Sequence, residues 1–556
     1  MATLFQSGSP SYQSRVKALR FGVVTCLTLL SACKLGPEYE RPALETPTAY
    51  KEAGDWKPAE PAAHRDRGAW WQIYGDPKLD ALQAELSQGN LNVRIAESQF
   101  RQAQAVLAAN RAALFPTVGG SAGATRSQIA DPLTGLNREP VQLPEQRVGP
   151  FGALRVRPPP IQAPEIDFDP RTQYNVGLSS SWEIDLWGRV RRQVEANEAN
   201  LAASAADLQS MRLSMQAQLA RVYFALRAND TLQDKLRQSV AAYERSLQIA
   251  ESRYQSGVTS RADVLQAKTQ LRSTQAQAQE LGIQRAQLEH ALAVLLGRPP
   301  AQFDFPPAPL AEPVIPVVPT GLPSALLERR PDIAAAERRV AAANAQIGVA
   351  KAAYFPNLTI SASGGYQGTS LGDLISLPNR FWSLGPRLAL SLFDGGLRRA
   401  QVEQAEAIVD ATADGYRLVV IGAFQEVEDQ LAALRILAEE AVTQSETEDF
   451  ARQALEVATN QYKAGLVGYL NVVNAQTVLL ESERTSVTLL NQRLAASVDL
   501  IRALGGTWQN PDQPPIPSSV SVAGGGTGHA AVADAAAHAI RHSASIDKAP
   551  PAHIDR

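Results

Sequence analysis

Cysteine, histidine and aromatic residues are scarce in this chain. Only Cys26 and Cys33 occur in 556 residues, so no disulfide framework and no cysteine-based metal cluster organises it. Of six histidines, four (His529, His538, His542 and His553) lie near the C-terminus. No HExxH, Walker A, GxSxG or CxxC pattern occurs. An enzyme reading fails on that inventory: no catalytic residue, metal ligand or bound cofactor is expected. The formal net charge is −3 with no long basic run, which argues against nucleic acid as a partner. Aromatics make up 6%, and the long middle stretches of Ala, Gln, Leu and Glu suit paired helices better than a compact catalytic core. Beyond residue 33 no segment has the roughly 18 uninterrupted apolar residues of a spanning helix. If the mature chain crosses a bilayer, it must do so as strands of a closed barrel.

What is present begins with an export signal, residues 1–32. Arg15, Lys17 and Arg20 supply the basic region, and Phe21 to Leu30 a short apolar one. It ends in Leu30-Ser31-Ala32-Cys33, which resembles a bacterial lipobox. Cys33 would then be the first mature residue, carrying N-palmitoyl and S-diacylglycerol chains. Lys34, where an Asp would favour the inner membrane, points by the same resemblance to the outer one.

The chain reads as two similar halves, 76–300 and 326–508, joined by a linker at 301–325 and preceded by a linker at 33–75. Leu114-Phe115-Pro116 recurs as Tyr354-Phe355-Pro356, an offset of 240. Tyr254-Gln255-Ser256-Gly257 recurs as Tyr462-Lys463-Ala464-Gly465, an offset of 208, as does Leu296-Gly297 in Leu504-Gly505. The difference falls in Ser127 to Arg171, a Pro-rich stretch expected to be one long loop. The tail 509–556, rich in Ala, Gly, Pro and Ser, is expected to be disordered.

Each half predicts a helix, two strands and two long helices. Arg189 to Ser256 contains neither Gly nor Pro, enough for a helix of about 100 Å. Val194, Leu201, Leu208, Met215 and Val222 recur every seven residues, the spacing of a coiled coil. Period-two alternation marks strands at Tyr174 to Ile184 and Leu358 to Gln367, more weakly at Thr117 to Thr125 and Trp382 to Leu392. Tyr174, Trp182 and Tyr366 suit an aromatic girdle, although alternation alone fits an edge hairpin on a soluble protein as well. Pro116 and Pro356 redirect helices into strands. Asp185 with Gly188, and Asp394 with Gly395-Gly396, are expected to open helices. Four strands cannot close a barrel alone; three chains would supply twelve.

Several runs carry a family likeness. They are Cys33-Lys34-Leu35-Gly36-Pro37-Glu38-Tyr39-Glu40-Arg41-Pro42, Trp70-Trp71 with Asp76-Pro77-Lys78-Leu79, Trp182-Glu183-Ile184-Asp185-Leu186-Trp187-Gly188, Leu326-Leu327-Glu328-Arg329-Arg330-Pro331-Asp332-Ile333 and Leu392-Phe393-Asp394-Gly395-Gly396. Over residues 33 to 508 the chain resembles the TolC/OprM-like outer-membrane efflux proteins, in the NodT-type lipoprotein branch that serves RND pumps. The resemblance implies a homotrimer: a twelve-stranded transmembrane β-barrel above a long coiled-coil helical tunnel, set in outer-membrane lipid. It would meet a periplasmic adaptor (membrane fusion protein) and, through it, an inner-membrane pump.

Gly257 and Gly465 each close a tight turn between long helices. By resemblance, Gly257, Val258, Thr259 and Ser260 and Gly465, Leu466, Val467 and Gly468 are the tips that meet the adaptor. Leu470, Asn474 and Thr477 match the periplasmic gate, with Asn474 standing where relatives carry an acidic ring. A type I secretion duct and a lipid-anchored coiled-coil scaffold without a pore remain alternatives; conductance separates duct from scaffold.

Overall fold

The computed structural model describes residues 34–43, 47, 49–52, 69–128, 145–148, 154–156, 170–310, 315 and 329–506. The expected signal, Cys33 and the tail 509–556 lie outside these residues.

Helix α1 (Pro77–Gly89) is opened by Asp76, whose carboxylate accepts from the Lys78 amide at 2.9 Å, while Pro77 fills a first-turn position that needs no N–H. A single helix was expected ahead of the first strand. The chain instead breaks at Asn90 and restarts as α2 (Leu91–Ala112). Asn90 Oδ1 accepts from the Val93 amide at 3.0 Å, and its Nδ2 donates to Leu295 O at 2.7 Å. An Asn that caps a new helix diverts the backbone donors that a continuous one would use.

Two very long helical hairpins follow. Helices α3 (Arg189–Gln255) and α4 (Arg261–Leu295) contain 67 and 35 residues. After α5 (Pro331–Ala352), helices α6 (Leu397–Lys463) and α7 (Tyr469–Ala503) contain 67 and 35 again. Gly188 takes a left-handed φ of 78° ahead of α3, and Asp185 Oδ2 accepts from the Arg191 amide at 2.8 Å. Asp394 does the same work before α6, accepting from the Gly396 amide at 3.0 Å. Of the heptad positions on α3, Val194 and Leu208 are buried and the other three partly covered.

Strands β1 (Thr117–Ser127), β4 (Arg171–Ile184), β5 (Asn357–Gly368) and β6 (Arg380–Ala389) form one antiparallel sheet in the order β1-β4-β5-β6. The stretch 127–171 was expected to be loop and the strand count four. The structure adds a small separate pair, β2 (Gln146–Val148) with β3 (Leu154–Val156). Strands of three residues are too short to show an alternating pattern, so the sequence hid them.

The main core lies where the helices cross. Trp70 and Tyr74 pack there with Leu79, Leu86, Phe224, Leu292, Tyr416, Leu431 and Leu500. Each aromatic also satisfies its polar tip, Trp70 Nε1 on Gln216 Oε1 at 3.3 Å and Tyr74 Oη with Ser497 Oγ at 2.9 Å. A buried ionic network ties the segment after α4 to this core. Asp230 accepts from Arg285 Nε at 2.9 Å and the Ala308 amide at 3.0 Å, and Glu289 accepts from the Phe305 amide at 2.8 Å. Arg227 donates to Pro306 O at 3.0 Å and lies 4.4 Å over the Phe305 ring.

The segment that begins at Lys34 is strapped to α3 and α5. Arg192 is 1% exposed and donates to three consecutive carbonyls, those of Leu35, Gly36 and Pro37, at 2.8, 3.0 and 3.0 Å. Lys34 pairs with Glu195 at 2.8 Å, and Tyr39 donates to Glu337 at 3.1 Å. Burial would raise the Glu195 carboxyl, but the hydrogen bond and charge of Lys34 together with Arg192 outweigh it and hold the group below its usual range.

Candidate functional site: hairpin tips and an open sheet

Both hairpins turn on the same device. Gly257 and Gly465 have φ of 74° and 80°. The amides of Gly257 and Val258 bond back to Tyr254 O and Arg253 O, and those of Gly465 and Leu466 to Tyr462 O and Gln461 O, all at 2.9 Å. This double bond pattern closes a helix with glycine in the left-handed position. Ser260 and Thr259 then engage the Asp263 side chain at the start of α4. At the second tip Gly468 provides no side-chain cap.

The two tips are bolted together. Arg253 Nη1 donates to Lys463 O at 2.9 Å, and its guanidinium lies 5.0 Å over the Tyr462 ring. Tyr462 meets Tyr469 edge-on at 5.2 Å, within a small cluster holding Ala250, Val264, Ala267 and Val472. What remains outside is small or apolar: Val258 is 63% and Leu466 76% exposed, with Gly257 and Gly465 exposed beside them and Val467 half-buried. No side chain fills the space around Gly257. Such a surface admits another backbone closely.

Leu470, Asn474 and Thr477 stand along one face of α7 and are all exposed. Thr477 donates to Val473 O at 2.9 Å and receives Gln270 Nε2 from α4 at 3.4 Å. None of the three ionises.

The sheet has two chemically different faces, fixed by register. Ser180 pairs with Ala362 and Ala362 with Leu384; Leu178 pairs with Gly364 and Gly364 with Trp382. Even-numbered positions thus share one face, which carries Val118, Tyr174, Val176, Leu178, Trp182, Leu358, Ile360, Tyr366, Trp382, Leu384 and Leu388. Odd-numbered positions share the other, mostly Ser, Thr, Gly, Asn and Gln, with Arg171, Glu183, Arg387, Ala389 and Phe381 among them. Val118, Trp382, Leu384 and Leu388 are 66–74% exposed. Both edges, β1 and β6, lack a partner strand among the described residues. One copy therefore leaves an apolar face and two open edges uncovered, which water does not tolerate well.

Among the described residues, no cluster of His, Cys, Asp or Glu is arranged to hold a metal ion, and no helix is long and apolar enough to cross a membrane. The sequence model for outer membrane efflux proteins matches residues 82–298 and 322–506. The chain belongs to that family. It is 32% identical to the solvent efflux pump outer membrane protein SrpC of Pseudomonas putida, over 87% of this chain and 97% of SrpC. The solved outer-membrane channel OprN superposes with a TM-score of 0.73 at 29% identity, covering 86% of this chain and all of OprN. The open-state channel MtrE of Neisseria gonorrhoeae gives 0.72 at 27% identity, over 85% and 98%.

As an outer membrane efflux protein the chain is not an enzyme, and its working parts are surfaces. The structure brings the two tips together, which the sequence treated separately. Arg253 and the Tyr462–Tyr469 pair join them, and their only sequence signal was a position beside each glycine turn.

Proposed function

We propose that this protein is a passive exit duct: three copies close their sheets into a twelve-stranded barrel in the outer membrane, above a tunnel of long helices. The observation that carries this is the two-faced sheet with two unpaired edges. A ring of three sheets buries every edge, turns the apolar face to lipid and the small polar face to a water-filled lumen. The equal lengths of α3 and α6, and of α4 and α7, support an internal duplication, so that each copy contributes two similar staves to the tunnel.

Cargo is small molecules, delivered from the periplasm by an inner-membrane pump through an adaptor. The tips Gly257 to Ser260 and Gly465 to Gly468 meet the adaptor, and Leu470, Asn474 and Thr477 line the gate. Cys33 carries the lipid: Lys34 lies against Glu195 in the first turns of α3, close in sequence to the end of β4, where an acyl chain would reach the same bilayer as the barrel. Purified protein in planar bilayers should give discrete conductance steps, with opening favoured by Arg253→Ala. A protein that inserts yet never conducts would favour the scaffold alternative. Metabolic labelling with a fatty acid should mark the wild type and not Cys33→Ser.

A further inference from the structure

On the polar face of the sheet one large apolar side chain stands out. The odd-numbered positions of the four strands are Thr, Gly, Ser, Asn, Gln and a few charged or small residues, with the single exception of Phe381. Phe381 lies opposite Gly365, and Gly365 opposite Gly177. A Cβ on Gly177 would stand 3.5 Å from Phe381 Cζ, so the ring reaches across the Gly365 row to the next strand. A Cβ on Gly365 would stand 2.2 Å from Val176 O, so no L side chain fits between. The ring thus lies on a floor of glycine backbone and is still 37% exposed. It sits at the second residue of β6, the end of the strand away from α6.

We propose that Phe381 is a cargo-contacting residue that sets specificity late in export, by offering an aromatic surface to aromatic or apolar molecules just inside the outer rim. This rests on the duct reading, which turns the polar face inward and brings three copies of the ring to one level. Elsewhere the described strands of that lining offer passing molecules hydroxyls, amides, backbone and the charges of Arg171, Glu183 and Arg387, which water matches. Among the described strands only Phe381 offers them a π-face, which attracts apolar rings and organic cations. The glycine floor holds the ring in the lining and leaves its other side open.

The test is block of single-channel current by tetraphenylphosphonium, with tetraethylammonium as an equally charged cation without rings. Phe381→Ser should weaken tetraphenylphosphonium block by roughly 3- to 10-fold, the size of an aromatic contact, and leave tetraethylammonium unaffected. Phe381→Leu covers the glycines with an apolar group and should weaken block nearly as much, whereas Phe381→Tyr should preserve it. Heat resistance of the assembled protein on gels serves as the control for folding. If Phe381→Leu blocks like wild type, the aromatic face is irrelevant and the inference fails. If block is unchanged in Phe381→Ser while heat resistance falls, the ring merely covers Gly177 and the inference fails too. Those results leave a conducting duct standing; a wild-type protein without conductance would instead remove the duct reading, and this inference with it.

Discussion

The backbones of Gly36 and Gly348 meet so closely that a Cβ on Gly36 would stand 2.6 Å from the Cα of Gly348. From the other side, a Cβ on Gly348 would stand 2.6 Å from Leu35 O and 2.8 Å from Arg192 Cγ. The strap that follows Cys33 is therefore seated in a slot cut to backbone width, with Arg192 as its clasp.

Gly348→Ala should lift the strap. The added methyl meets backbone and a buried guanidinium rather than a flexible tip, so overpacking should cost about 1–3 kcal/mol. Hydrogen exchange at residues 35–39 should rise while α3 and α5 remain protected. Unchanged exchange would mean that the helix shifts and the strap does not.

A second prediction concerns Arg330 of the Arg-Arg-Pro-Asp-Ile run. Its side chain is 7% exposed and grips Asp332 at 2.7 Å, Glu426 at 2.8 Å and Ala503 O at 3.0 Å. Burial would raise the Asp332 carboxyl, but the Arg330 hydrogen bond and charge outweigh it and keep the group below its ordinary value. A depressed carboxylate contributes stability that is present above its unfolded pKa and lost as pH falls through the folded one. Melting temperature should therefore drop as pH falls below about 4, and Asp332→Asn should flatten that part of the profile. Arg330→Ala should cost about 1–3 kcal/mol at neutral pH, because Asp332 loses its cation and the buried Ala503 O its donor, while Glu426 keeps Arg502 at 3.6 Å. A wild-type melting temperature that is flat down to pH 3 would refute the assignment.

How much of this was legible in the sequence follows from the range of each interaction. The α3 helix was legible because Arg189 to Gln255 contains no breaker, and its start because Asp185 and Gly188 act within a turn. The sheet faces were legible from alternation. The clasp of Arg192, the Asn90 break and the network of Arg227, Asp230, Arg285 and Glu289 were not. Each involves carbonyls or amides brought from far along the chain, at Leu35, Leu295, Phe305 and Pro306, although the Asn90 cap on the Val93 amide is itself local. On a helix such charges look like a solvated face. The tips were found by their glycines, whereas Arg253 crossing to Lys463 O spans 210 residues and left no pattern.

The gate prediction turns on an uncharged residue. If Leu470 and Asn474 face the duct axis, three copies of each form adjacent rings one helical turn apart. Asn474 does not ionise, so the constriction should show little pH dependence of its own. Asn474→Asp should raise cation selectivity in single-channel recordings, since a ring of carboxylates attracts cations. Gln266→Glu, at the corresponding position of α4, should do less. Equal and negligible effects would place the constriction elsewhere.

The last prediction gives the strand register between copies. Within one chain, Thr117 pairs with Ser181, and Asn357 with Ala389. The second pair is the first displaced by the two offsets read from the sequence, 240 for β1 to β5 and 208 for β4 to β6. The β4–β5 pairing has no such counterpart inside the chain, because β1 and β6 are the two free edges. Applying the same offsets to Ser180 and Ala362 places Leu388 of one copy opposite Ala122 of the next. Both are even-numbered, so the apolar face continues unbroken across the junction, and a slip of one residue would turn it inward. Paired residues of an antiparallel ladder lie about 4.5–5.5 Å apart, within reach of a disulfide. Cys26 lies in the expected signal and Cys33 is expected to be lipidated, so the mature chain offers no competing thiol. The double variant Leu388→Cys with Ala122→Cys should then form covalent dimers and trimers on mild oxidation. Leu388→Cys with Ala124→Cys, displaced by two residues on the same face, should crosslink far less. If the displaced pair crosslinks as well or better, β6 and β1 of neighbouring copies do not meet in this register.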